Sequence, residues 1–88
     1  MPRFFMHFVG QDGETTDLEG FDAADETAAR RTAMIAAGQI ITDELAAGHA
    51  TIAFTLCLDD ADMVRIGALP VAASVAAFPS PRFSRPAV

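Results

Sequence analysis

Residues 3–20 read RFFMHFVGQDGETTDLEG, and the way the two halves of this stretch pair decides the fold. A half-buried strand alternates apolar and polar residues. Arg3 to Val9 is instead apolar at nearly every position, with His7 set among three phenylalanines. GQDGE is a turn, because Asp and Gly tolerate the left-handed backbone of tight hairpins. Thr15 to Glu19 is then the returning strand.

Side-chain parity chooses the loop. A two-residue turn of Asp12 and Gly13 would set Phe8 opposite Asp17 and Met6 opposite Glu19, placing carboxylates beside an apolar row. A three-residue loop, Gln11-Asp12-Gly13, pairs Phe8 with Thr16, Met6 with Leu18 and His7 with Asp17. One face then holds Phe4, Met6, Phe8 and Leu18, and the opposite face Phe5, His7, Val9, Asp17 and Glu19.

Downstream, a long helix is expected within GFDAADETAARRTAMIAAGQIITDELAAGHA. Asp25 is the N-cap, with Asp22 as the alternative, since a carboxylate there accepts orphan amides of the first turn. Glu26 and Arg30 are spaced for an i,i+4 pair. The apolar stripe runs through Ala28, Met34, Ile35, Gly38, Ile41 and Leu45, with Thr42 at its edge and Arg31 its one charged interruption. Gly48 is a C-cap.

Thr51 to Leu58 alternates, with Ile52, Phe54, Leu56 and Leu58 on one face and Thr51, Ala53, Thr55 and Cys57 on the other. DDAD at 59–62 is a turn. Met63 to Leu69 is the last strand, with Val64, Ile66 and Ala68 on its core face, and Pro70 interrupts or ends it. The fold class is α+β: ββαββ, a four-stranded antiparallel sheet with one long helix packed on one face. Residues 1–78 form one domain and residues 79–88 a flexible C-terminal tail.

Eighty-eight residues make a thin core, because a chain this short buries only about 60% of the surface it exposes unfolded. Cys57 is the sole cysteine, so no internal disulfide forms, and no cysteine and histidine cluster has zinc-site spacing. Association is the remaining route to stability. The apolar run at the start is too short for a secretory signal, and Val71 to Phe78 is far short of a membrane span. A soluble, cytoplasmic protein is expected, and a lone thiol agrees with a reducing compartment. The net charge is −6, with no lysine and seven acids between Asp12 and Glu26. That balance argues against nucleic-acid binding, which needs cationic contacts to phosphate.

The start MPRFFMHFV, the DLEG turn and the AADETAARRTA helix entry resemble a group of short, mostly alphaproteobacterial proteins of unknown function. Those begin M-P-R-[YF]-F-x-[HD] and pass through a D-x-E-G turn into the helix. Arg3, Phe5, His7, Asp17, Gly20, Asp25, Ala28, Ala29 and Arg30 match that pattern, over residues 1 to about 35. Met6 stands where phenylalanine is usual and Ala24 where proline is usual. The resemblance implies the ββαββ order and the Asp25 cap, and brings no reaction or cofactor. A layout shared with antitoxin-type domains suggests, by analogy alone, a partner-binding domain.

One chemical constellation stands out. His7, Asp17 and Cys57 share the face opposite the helix, where thiol, imidazole and carboxylate would serve as nucleophile, base and orienter. Against it, an open sheet face offers no pocket or oxyanion donors, and a buried lone cysteine behaves as a small apolar residue. His7 then reads as a hydrogen-bonded partner of Asp17, or as a residue covered by a second subunit and responsive to pH there. DDAD lacks the glycine and distal glutamate of a calcium loop, and His49 reads as exposed beyond the helix end, so no metal or cofactor is expected. Phe5, His7, Val9, Ala53, Met63 and Leu69 form the expected interface of a homodimer, on the face or an edge that the helix leaves open. The function expected is a non-enzymatic interaction or regulatory module.

Overall fold

A computed structural model describes residues 1–76; the expected end of the domain at residue 78 and the expected tail lie outside them. The elements are β1 (Arg3–Gly10), β2 (Gly13–Thr15), β3 (Phe21–Asp22), α1 (Glu26–Ala46), β4 (Thr51–Asp59) and β5 (Arg65–Ser74). All pairings are antiparallel, in the order β2-β1-β4-β5, and the short β3 also pairs with β1. The architecture is thus α+β with one helix on an antiparallel sheet, carrying one strand more than the expected ββαββ order.

The extra strand arises where the hairpin register departs from expectation. The turn is the two residues Gln11 and Asp12, closed by Gly10 opposite Gly13, so that Phe8 faces Thr15 instead of Thr16. Pairing with β2 stops at Thr15, and β1 is taken up again by β3 through Phe4 opposite Phe21. Between them the Asp17 carboxylate accepts the Met6 amide at 3.0 Å. A side chain thereby occupies a place in the ladder that the parity argument assigned to backbone, because that argument treated Asp17 and Glu19 as strand residues.

The helix starts as its first turn dictates. Asp25 is extended and accepts the Ala28 amide at 2.8 Å, the geometry of an N-cap. Glu26 meets Arg30 at 3.2 Å, and Arg30 also donates to the Ile66 carbonyl, tying the helix to β5. At the other end Gly48 takes φ +93°, with its amide on Leu45 and that of His49 on Glu44, a Schellman closure that favours glycine.

The buried face of the helix overlaps the expected one only at its edge, where Ala28 and Ile41 pack against the core. Ala29, Ala33 and Ala37, four residues apart, are its buried positions, whereas Met34 and Ile35 are 60% and 59% exposed. Both candidate stripes are apolar at helical spacing, and the sheet takes the one with the smaller side chains because it lets the backbone approach closely. Ala29 and Leu58 join Phe4 and Ala23 in one cluster, and Ala37 joins Ile52, Phe54 and Leu56 in a second, with Met6 bridging both. Ala29 is 0% exposed, so Ala29→Leu should lower unfolding free energy by about 1–3 kcal/mol through overpacking. Met34→Ala should change it by less than about 0.5 kcal/mol. Urea midpoints of the two variants measure the contrast.

β5 is also longer than expected. It runs through Pro70 and pairs with β4 along its length, with an irregularity at Leu58 and Asp59. Val75 donates to the Ala50 carbonyl at 2.8 Å, so odd-numbered residues there aim their amides at β4 and Pro70 faces outward. Its missing N–H costs no internal bond and blunts the sheet edge. The same register places Leu69 with Val71 and Ala73 in the helix-side core, and Ala68 on the opposite face. Met63, at φ +62°, and Val64 belong to the preceding turn. Leu69 and Met63 are therefore not on the face where they were expected.

Candidate functional site

The face away from the helix carries Phe5, His7 and Val9 on β1, and Cys57 and Asp59 on β4, since His7 lies opposite Cys57 and Phe5 opposite Asp59. His7 is 3% exposed and Asp59 6%. What buries them is the chain itself. After Thr15 it turns across the end of this face, where the Asp17 amide donates to His7 Nδ1 at 3.0 Å. The Asp17 carboxylate also accepts the amides of Glu19 and Gly20. Gly20 holds φ +75°, and a Cβ there would lie 2.6 Å from the Phe4 carbonyl oxygen and 2.9 Å from the Phe5 ring, so only glycine lets the turn sit this close.

With Nδ1 accepting an amide proton, the proton of the neutral ring is on Nε2, which donates to Asp59 Oδ2 at 3.0 Å. The other carboxylate oxygen accepts from Arg65 Nε at 2.6 Å. Arg65, the first residue of β5 and opposite Asp59 in the register, is half-exposed. The result is a continuous chain: Asp17 amide, His7 ring, Asp59 carboxylate, Arg65 guanidinium.

The electrostatics follow from these bonds. Burial works to raise the Asp59 pKa, but Arg65 and then His7 outweigh it and hold the carboxyl below its ordinary value. Burial likewise works against the charged form of Asp17, and the amides of Met6, Gly20 and Glu19 together overcome it, lowering that pKa too. Hydrogen bonding to Asp59 raises Arg65. Each group is stabilised in the charge state in which it closes the network.

This arrangement bears on the sequence-derived candidates one by one. His7 and Asp17 are brought together, though through the Asp17 amide and not as a cross-strand pair of side chains. Cys57 is buried and free, opposite His7 in the register. Yet the ring has no lone pair left to act as its base, because one nitrogen accepts Asp17 and the other carries its proton to Asp59. The carboxylate that orients His7 is Asp59, which the sequence reading assigned to the DDAD turn. Its signal was available: Asp59 continues the odd-numbered row of Thr51, Ala53, Thr55 and Cys57. Arg65 carried no comparable signal.

Asp60 is the true turn residue, capping the amides of Asp62 and Val64. His49 is exposed and bonded to Glu44 at 2.7 Å. Among the described residues no three acidic, histidine or cysteine side chains converge as a metal site, and no helix is long and apolar enough to cross a membrane. Chemically, the cluster around His7 is a saturated polar clasp, with its donors and acceptors committed to one another.

Beyond the clasp, the same face carries Ala53 and Thr55 on β4, Ala68, Pro70 and Ala72 on β5 and Val9 on β1, all uncharged, with Glu14 opposite Val9 at the margin of the strip. No curated protein and no solved structure matches the chain. A family profile does match, over residues 3–72, and the chain belongs to that family, described as a domain of unknown function, DUF6894.

Proposed function

We propose that this domain is a homodimeric interaction module that packs through the bare half of its outer sheet face. One observation carries the reading. The clasp closes the Phe5 and His7 end, while the adjoining strip of Val9, Ala53, Thr55, Ala68, Pro70 and Ala72 presents uncharged side chains, bordered by Glu14 opposite Val9. Small side chains on a pleated surface suit face-to-face sheet packing, with a two-fold axis setting the same strip on both copies. Edge association is the poorer alternative, because Pro70 interrupts the outward row of amides on β5. The setting is the cytoplasm, consistent with the buried free thiol of Cys57.

Light scattering on the full chain tests this. The wild type is expected at twice the chain mass and Ala53→Arg at the single mass, since a guanidinium at the centre of the strip cannot be desolvated there without a partner. Circular dichroism of the variant should stay unchanged, because Ala53 is exposed. A dimer that survives Ala53→Arg and a matching Ala72→Arg would rule out this face.

A further inference from the structure

On the helix side of the sheet, β5 has a gap in its inward row. Gly67, Leu69, Val71 and Ala73 alternate there, with Gly67 opposite Leu58 and Leu69 opposite Leu56, so the first place in the row has no side chain. A glycine inside a strand gives up packing and often marks the close approach of a backbone or a ligand. No backbone takes up this space: apart from its chain neighbours, the one atom within 4 Å of a Cβ placed on Gly67 is Arg30 Nε, at 3.9 Å. The space belongs to a pocket of about 180 Å³ between α1 and β5. Its walls are Ala33, Leu56, Leu58 and Leu69, and the exposed Met34 lines its solvent side.

Arg30 is the one charged residue among the described residues of the lining. Its Nη2 is engaged, donating to Glu26 Oε1 and to the Ile66 carbonyl, and the second of these bonds fixes the guanidinium beside the strand. A guanidinium carries five N–H donors; among the described residues, no acceptor is bonded to Nε or Nη1. An apolar pocket beside a fixed cation with free donors suits a molecule that combines a hydrocarbon body with one carboxylate. The body removes leucine surface from water, and the carboxylate takes the free donors in charge-assisted bonds. An apolar cavity of about 150 Å³ holds a benzene molecule, so the body that fits here has roughly six carbons. We propose that this pocket is a binding site for a small monocarboxylate, its apolar body in the space that Gly67 leaves and its carboxylate on Arg30. The site is separate from the outer strip and does not depend on contact between copies.

Titration of sodium hexanoate into the isotope-labelled full chain, followed by NMR, tests the proposal. Saturable displacement of the Gly67 and Leu69 amide signals and of the Ala33 and Met34 methyl signals is expected below about 20 mM, since a ligand this small reaches roughly millimolar affinity. Hexanol, which has the body without the charge, should bind about tenfold more weakly. Arg30→Gln should weaken hexanoate about tenfold and leave hexanol unchanged. That residue is half-exposed, so circular dichroism of the variant should match wild type. Glu26→Gln frees Arg30 Nη2 and removes a like charge, and should tighten hexanoate about threefold. Gly67→Val fills the space and should abolish the displacements by both ligands. No saturable displacement of these signals by hexanoate, displacement centred on Ala53 and Ala72 instead, or hexanol binding as tightly as hexanoate would each overturn the proposal.

Discussion

Asp59→Ala should cost the domain about 2–4 kcal/mol of unfolding free energy, a large fraction of the 5–15 kcal/mol typical of a whole domain. Asp59 is the single acceptor for two donors, and its loss leaves His7 Nε2–H buried with nothing to receive it. His7 cannot answer by moving its proton, because Nδ1 is already the acceptor of the Asp17 amide. Arg65 recovers part of its loss by turning into water, which keeps the cost below that of a fully enclosed ion pair. Asp59→Asn should therefore cost less, about 1–2 kcal/mol, with its one carbonyl oxygen serving His7 while Arg65 is released. Urea denaturation orders the three proteins, and an alanine variant within about 0.5 kcal/mol of wild type would contradict the clasp.

Asp17→Ala should cost about 1–3 kcal/mol, and its more telling effect is on acid stability. Asp17 and Asp59 both have lowered pKa values in the folded protein. A depressed carboxyl binds its proton more readily when unfolded, so the stability it contributes is fully present above the unfolded value, about 3.9, and is lost as pH falls through the folded value. Wild-type stability should therefore be flat with respect to these two groups above about pH 5 and fall steeply in acid. Asp17→Ala should show a lower plateau and a shallower acid slope. Parallel acid slopes in the two proteins would mean that the bonds to Met6, Glu19 and Gly20 contribute little.

Much of the frame was legible in the sequence, and its failures have physical causes. The Asp25 cap, the reach of the helix to Gly48 and the alternation of β4 are local signals, and local hydrogen bonding fixes them. The face of the helix was not legible, because Ala29, Ala33 and Ala37 compete with Met34, Ile35 and Leu45 at the same period, and only the closeness of the sheet decides. Pro70 was expected to interrupt or end the last strand, but its outward position on an edge strand makes it harmless to the ladder. His7 and Asp17 meet through the Asp17 amide and not as the expected cross-strand pair. Their geometry was hidden because the Asp17 side chain substitutes for a strand, which no side-chain period encodes. Asp59 was lost inside an acidic run whose other members face solvent.

The chain's own turn buries His7 and half-buries Phe5, which leaves less of this end of the face for the proposed contact between copies. The bare strip moves to Ala53, Ala68, Pro70 and Ala72, with Val9 at its margin. Such a strip has little chemistry of its own, and its small, uncharged side chains are the feature that matters.

Isotope-filtered NOE spectroscopy on an equal mixture of labelled and unlabelled full chain tests this division of the sheet face most directly. Contacts between copies are expected among the methyl groups of Ala53, Ala68, Ala72 and Val9, with none from the His7 ring. Intermolecular contacts confined to Met34 and Ile35 on the helix, or none at all at high concentration, would contradict it.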